Sequence, residues 1–378
     1  MLGNRMSKLG TQQVAWGAST WVRPAEWIAL PTLTAGEEKL VGLYRVNDAA
    51  NQCVAFTVTG DYTVDWDDGS APENVASGVK AEHSYTFADI DPATETGDGW
   101  RQAIITITPQ AGAALTTINL TSVHAVGTGN YTSWWLDVAV VGAGVTQCLC
   151  GGMASATRKP LAAMEQFEFV GTDSIANFGD MFYGCSSLQT VPALDTSSGT
   201  SFSYMFYGCS SLQTIPALDT SSGTSFSEMF RGCSSLQTVP ALDTSSGTNF
   251  DGMFRDCRSL QTIPALDTSS GTNFGAMFSG CSSLTTIPAL DTSSGTSFGA
   301  MFSGTGRIAS SGMTGPKYSH SYATNLLIQS EIVTIFTNLG IAPIGTGQTI
   351  TVTGNPGAAG LTGPEIAIAT AKNWTVVN

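Results

Sequence analysis

Gly208-Cys209-Ser210-Ser211-Leu212-Gln213-Thr214-Ile215-Pro216-Ala217-Leu218-Asp219-Thr220-Ser221-Ser222-Gly223-Thr224 recurs almost unchanged along the chain. A Met-Phe pair precedes each copy and recurs once more after the last, at Met181-Phe182, Met205-Phe206, Met229-Phe230, Met253-Phe254, Met277-Phe278 and Met301-Phe302, always 24 residues apart. A fixed period of this length predicts a solenoid, in which each unit buries its apolar side only by stacking on its neighbours.

Within one unit, Phe202, Met205, Phe206 and Cys209 fall at helical spacing and predict a short helix with one apolar face. Ser201 stands just before it as an N-cap, and Asn177, Ser225, Asn249, Asn273 and Ser297 take the same slot. Ser225 with Glu228 reads as a capping box. Gly184, Gly208, Gly232 and Gly280 stand where a left-handed residue would end the helix. Leu212, Ile215 and Ala217 predict a short strand with Ile215 and Ala217 inward. Asp219 to Gly223 is a turn.

Comparing the copies separates core from surface. The apolar positions barely change. The changes fall at Ser203, Ser227, Asp251 and Gly275, at Tyr204, Glu228, Gly252 and Ala276, and at Tyr207, Arg231, Arg255 and Ser279. On the expected helix these point to solvent. Tyr204, Tyr207, Glu228, Arg231 and Arg255 are therefore the candidate binding surface.

With its Met-Phe, Cys-Ser-x-Leu and Asp-Thr-Ser, the unit resembles the BspA-like leucine-rich repeats. The likeness covers about a third of the chain. It implies surface adhesion or binding rather than catalysis.

The remainder of the 378 residues allows further domains, and charged residues are only 12%. A net charge of −14 without any basic cluster excludes a nucleic-acid partner. No apolar run is long enough to span a membrane, so no membrane insertion is expected. Residues 1–10 are polar, so no export signal is expected. Of eight cysteines, Cys185, Cys209, Cys233, Cys257 and Cys281 recur once per unit and read as a ladder of small buried side chains. Cys148 and Cys150 lack companions at zinc spacing and read as two thiols on one strand face.

Before the repeats, residues 1–48 form an arm with Trp16, Trp21 and Trp27. These rings either pack on the next domain or dock the chain onto a larger assembly. Residues 49–165 read as all-β, with strands at 54–59, 62–66, 83–87 and 103–108. Val64-Asp65-Trp66-Asp67-Asp68-Gly69-Ser70, followed by His83-Ser84-Tyr85, resembles a polycystic-kidney-disease (PKD) domain, a family of extracellular spacers and binding modules. Asp67 stands where that family has Gly. Asp65, Asp67 and Asp68 either bind calcium or bond to the backbone of their own turn. Leu161 to Val170 reads as the entry into the solenoid.

After Gly304 the period is lost. Residues 305–321 read as a loop, 323–339 and 365–372 as helices, 348–353 and 374–377 as strands, together closing the array.

The expected architecture is multidomain and mainly β: an arm over 1–48, a PKD-like or immunoglobulin-like β-sandwich over 49–165, an α/β leucine-rich-repeat solenoid of 24-residue units over 166–310, and a C-terminal capping unit over 311–378. No nucleophile elbow, phosphate-binding loop or His-Glu-x-x-His is present. His83, His124 and His320 lie far apart. Neither catalysis nor a cofactor is expected. The recurring Asp195, Asp219, Asp243, Asp267 and Asp291 read as backbone acceptors in their turns, with a cation row as the alternative.

The order arm, sandwich, repeat array, carried by Trp21-Val22-Arg23-Pro24-Ala25-Glu26-Trp27 and Tyr62-Thr63-Val64-Asp65-Trp66, resembles virion proteins of tailed phages, including cyanophages. The resemblance implies a fibre, decoration or adhesion component localised to the virion. Its partners would be other virion proteins and further copies of itself, by analogy as a homotrimer, with a host surface glycan or protein as receptor. The alternatives are a bacterial surface or intracellular binding protein, and a glycan-acting enzyme.

Overall fold

A computed structural model describes residues 22–49, 52–125, 134–152, 160–170, 175–191 and 194–378. Trp16 and Trp21 lie outside the described residues. The N-terminal half is a two-layer β structure. One sheet contains β1 (Lys39–Asn47), β3 (Tyr62–Asp65), β4 (Glu73–Val75), β6 (Trp100–Pro109), β8 (Trp135–Val141) and β10 (Gln166–Val170), in the order β10-β8-β1-β6-β3-β4. The other contains β2 (Gln52–Thr59), β5 (Lys80–Tyr85), β7 (Thr117–Asn119) and β9 (Gln147–Leu149), in the order β5-β2-β7-β9. Rings from both layers meet between them: Phe56 lies 6.3 Å from Trp135, and Tyr44 stacks on Tyr85 at 5.5 Å.

Two expected boundaries move. Lys39–Asn47, placed in the arm, is β1 and sits between β6 and β8, with Leu40 and Tyr44 fully buried. Gln166–Val170, placed in the solenoid, pairs in parallel with β8 as an edge of the same sheet. Lys39–Asn47 is apolar on both faces and Gln166–Val170 alternates, and both find open strand edges there, so hydrogen bonding draws them into the sheet. The sandwich and the solenoid consequently share one apolar core, which continues through the cap.

The solenoid is built from coils, but the expected short helix is absent. Its place is taken by consecutive turns. Each coil carries a left-handed residue in mid-run: Asp180 (φ 61), Tyr204 (φ 61), Glu228 (φ 56), Gly252 (φ 59), Ala276 (φ 48) and Ala300 (φ 55). An α-helix cannot pass through such a residue. The compensation is a ladder between coils. The amides of Phe202, Tyr204, Phe206 and Gly208 donate to the carbonyls of Ser225, Ser227, Met229 and Arg231 in the next coil at 2.7–3.0 Å. Met205 and Cys209 close local turns onto Phe202 and Phe206. A four-residue helix would leave most of these amides unpaired, whereas stacking satisfies them. The capping box also fails: Glu228 bonds Arg231, not the backbone at Ser225. The expected glycines do adopt positive φ, at 75° for Gly184 and 72° for Gly208.

Inside, two columns of phenylalanine run the length of the array. Phe178, Phe202, Phe226, Phe250, Phe274 and Phe298 stack at 5.5–5.8 Å. Phe182, Phe206, Phe230, Phe254, Phe278 and Phe302 stack at 5.6–5.9 Å. The second column is closed by Phe167 at one end and Tyr322 at the other. The turn glycines belong to the first column: a Cβ on Gly223 would stand 2.8 Å from Phe226 and 2.9 Å from Phe202. On the opposite wall the inward residues are Leu212, Ile215 and Leu218, and Ala217 is exposed, contrary to the expected alternation. Pro216 explains this. It has no N–H for a ladder, and the run turns three residues per inward side chain, as polyproline-type chain does. Among the described residues this wall pairs as strands only at the last regular coil, β11 (Thr286–Asp291) with β12 (Ser310–Thr314), a segment expected to be loop.

The cap continues the winding with longer coils. β13 (His320–Ser321), β14 (Thr349–Thr351) and β15 (Thr375–Val377) form a parallel sheet. The connections between them carry α1 (Gln329–Asn338), which starts six residues later than expected, and α2 (Gly363–Thr370), opened by a Thr362–Glu365 capping box.

The repeat thiols are free and buried, and four point back to the preceding coil: Cys209 Sγ lies 3.1 Å from Phe182 O, and Cys233, Cys257 and Cys281 repeat the contact. Burial pushes the Cys281 thiol up to about 12 and the others upward as well. With so little thiolate, these cysteines are expected to ignore a disulfide reagent in the native state and to react fully in denaturant. A thiol titration at neutral pH, with and without guanidinium, checks this.

Candidate functional site

The Asp-Trp-Asp-Asp run forms a closed local network. Asp65 Oδ1 accepts from the Asp67 amide, Asp67 Oδ2 from the Ile104 amide, and Asp68 Oδ1 from the Ser70 amide and hydroxyl. Asp68 Oδ2 meets His83 Nε2 at 2.8 Å, and the His83 ring stacks on Trp66 at 4.7 Å. Tyr85 donates to the Trp66 carbonyl. Asp67 takes the left-handed turn position at φ 57. Burial, then neighbouring acids, push the Asp67 carboxyl up. Burial pulls Asp68 the same way, but its bonds from Ser70 and the nearby His83 outweigh it and hold the carboxyl down. The three candidate calcium ligands thus face different partners, and among the described residues no group of three or more His, Cys, Asp or Glu is assembled for a metal.

The recurring aspartates accept from their own turns. Asp195, Asp219, Asp243 and Asp267 each take the amide and hydroxyl of the serine two residues on, and Asp291 takes the amide of Ser293. These bonds from serine hold Asp195, Asp219 and Asp267 below the usual range. The sign follows from linkage: a depressed folded-state value adds stability that is complete above the ordinary aspartate range and is lost as pH falls through the folded value. The solenoid is therefore expected to lose stability below about pH 4. Melting curves between neutral and acid pH check it.

The candidate binding residues come together as a strip on the turn face. Tyr183 and Tyr207 are stacked at 4.3 Å and 2°. Tyr204 lies 6.0 Å from Tyr207, and 38% of it is exposed. The Arg231 guanidinium sits 5.1 Å over the Tyr207 ring and bonds Glu228 at 2.8 Å. Burial lowers Arg231, but the Glu228 bond and charge more than reverse this. Burial, then Tyr207, pushes Tyr183 up to about 12. Arg255 continues the column, 3.7 Å from Asp256, with both half exposed. Tyr183 and Asp256 were missed in the sequence. Tyr183 was legible, being the first-coil counterpart of Tyr207, 24 residues earlier. Asp256 was hidden because it replaces the glycine of the other coils, at φ 61.

Glu228 is only 7% exposed, so Arg231→Ala would leave its carboxylate unpaired. The expected cost is about 1–2 kcal/mol. Arg255→Ala should cost under about 0.5 kcal/mol, because its pair is solvated. Urea denaturation of both variants checks the difference.

Of the arm residues, Trp27 is 6% exposed and packs with Leu43, Trp100 and Leu136 on the outer face of the larger sheet. Arg23 lies over the Trp27 ring, pairs with the buried Asp137 on β8 and donates to the Ile28 carbonyl. This portion of the arm is part of the domain's packing.

The architecture defines a repeat protein: a β-solenoid whose near-identical coils share one apolar interior. Residues 153–262 and 211–314 match the family model described as "Mycoplasma protein of unknown function, DUF285", in keeping with the BspA-like character of the unit. No curated protein matches the chain. No helix among the described residues is long and apolar enough to cross a membrane.

Proposed function

We propose that the chain is a non-enzymatic structural and binding protein in which the solenoid is a rigid bracket for the Tyr183–Tyr204–Tyr207–Glu228–Arg231–Arg255 strip. One observation carries this reading. Copies that keep every stacked phenylalanine and every buried thiol differ where their side chains reach the turn face. Stacked tyrosines beside an arginine supply rigid contact area at low entropic cost, the chemistry of a recognition hot spot. The partner is a surface protein or glycan.

The proposed setting is the virion of a tailed phage, as a fibre, decoration or adhesion component, with the arm and a PKD-like sandwich attaching and the solenoid projecting as a homotrimer. It rests on the order of these parts and on the motifs from Trp21 to Trp27 and from Tyr62 to Trp66. Quantitative mass spectrometry of purified particles tests the setting: a fixed copy number supports it, and absence from washed particles overturns it. Tyr204→Ala tests the strip. Folding stability should change by no more than about 1 kcal/mol, because Tyr204 lies on the surface and lends nothing to the interior columns. Adsorption of the protein to its target cells should fall about tenfold or more.

A further inference from the structure

The ladder between coils is complete until it reaches the cap, and there it stops. In the coils beginning at Phe178, Phe202, Phe226, Phe250 and Phe274, four alternate amides donate to the next coil. The corresponding amides of the last regular coil are those of Phe298, Ala300, Phe302 and Gly304. None of them has a hydrogen-bond acceptor among the described residues. The next coil, at His320 to Thr324, directs its own amides onward: Tyr322 and Thr324 donate to Thr351 and Thr353. Between the two coils lies a slot of about 460 Å³. The size suits a small ligand.

The slot is a wedge. At its inner side the rings remain in register, with Phe302 on Tyr322 at 4.5 Å and Phe298 near His320 at 5.9 Å. A strand inserted as an extra rung would need about 4.8 Å on each side, and the rings leave no such room. At its outer side Gly299, Ala300 and Ser303 are exposed. Its walls hold no charged side chain; the polar groups are backbone amides and the hydroxyls of serines and threonines such as Ser319, Ser321 and Thr349.

His320 forms part of the slot's inner wall and is 5% exposed. Its Nδ1 lies 3.0 Å from the Tyr318 carbonyl, so the proton resides there and Nε2 keeps a bare lone pair. That Nε2 has no hydrogen-bond partner, but it is sealed from solvent, with the ring packed against Phe298, Tyr322 and Trp374 in the interior, so it faces the core and not the open slot. Burial pushes the imidazole down to about 4, so it is neutral at physiological pH. Water can reach the exposed amides of Ala300 and Gly304, so a ligand that displaces it must offer acceptor oxygens in return.

We propose that this slot is a binding site for a neutral, hydroxyl-rich ligand, a sugar residue. The amide row calls for acceptor oxygens, the serine and threonine hydroxyls of the walls both donate and accept, and one hydroxylated ring answers both. The uncharged walls disfavour carboxylates, phosphates and ammonium groups, which would be desolvated without a counter-charge. The site is separate from the tyrosine–arginine strip and does not depend on it.

The test is ligand-detected and amide-detected NMR on the whole chain with a panel of neutral methyl glycosides, and with methyl glucuronide, inorganic phosphate and an acetylated tetra-alanine amide as comparators. The expected result is that at least one glycoside shifts the Ala300 and Gly304 amides and the His320 ring. Gly299→Trp should block it: a Cβ there meets nothing within 4 Å, so the indole can enter the slot mouth without disturbing the coil. That variant should bind about tenfold more weakly or not at all, while Tyr204→Ala should bind as the parent does. An unchanged melting temperature of Gly299→Trp would show that the loss is not unfolding. The proposal is overturned if no glycoside moves these amides, if glucuronide, phosphate or the peptide moves them more strongly, or if Gly299→Trp folds and binds undiminished.

Discussion

Phe230→Ala is expected to cost about 3–5 kcal/mol and to split the unfolding transition. Phe230 is fully buried and stacked between Phe206 at 5.6 Å and Phe254 at 5.7 Å. Removing it leaves a cavity that the neighbours cannot close, because their carbonyls and amides are tied into the ladders on both sides. The position matters as much as the size. In a stacked array, stability is a sum of nearest-neighbour interfaces, so weakening a central one uncouples the two ends. The half continuous with the sandwich core should then unfold separately from the half continuous with the cap. Calorimetry or urea melts followed by intrinsic fluorescence would show two steps in place of one. A single transition with a shift below about 1 kcal/mol would mean that the column does not carry the cohesion assigned to it.

Arg23→Ala should be nearly as damaging, at about 3 kcal/mol, although Arg23 belongs to an arm rather than to a strand. Its partner Asp137 lies on β8 with 4% of its side chain exposed. Truncating the arginine strands that carboxylate in the sheet. It also removes the cation over Trp27 and the bond to the Ile28 carbonyl, loosening the arm where it covers Leu43 and Leu136. The double variant Arg23→Met with Asp137→Val separates the causes. If the loss comes from an unpaired charge, the apolar pair recovers most of it. If the arm is held chiefly by Trp27, Arg23→Ala alone will be mild.

Much of this was readable beforehand. The period of 24 announced stacking units, and the recurring Phe, Met, Cys and Leu positions are the ones that reach the interior. The left-handed glycines and the aspartate turns were legible too, because both follow from local backbone chemistry. The short helix was misread. Phe202, Met205, Phe206 and Cys209 all point inward as predicted, but a chain of turns with Tyr204 at φ 61 aims them there. Spacing alone cannot separate the two, since both bring residues at i, i+3 and i+4 to one side. What decides is where the amides find acceptors, and those acceptors lie 23 residues away. The strip was legible in the same partial way: a list of variable positions identifies Tyr207 and Arg231, but only stacking reveals that they touch.

By itself, then, the amino-acid order determined that identical units would pile up, which side chains they would hide and which they would vary, because these depend on composition at fixed intervals. The tertiary structure decided that the units are turn-built rather than helical, that β1 and β10 belong to the larger sheet of the N-terminal half, and that the hydrogen-bond ladder is interrupted at the cap. Each of those is settled by pairing between residues far apart in the chain, where one coil's unsatisfied amides either meet the next coil's carbonyls or do not.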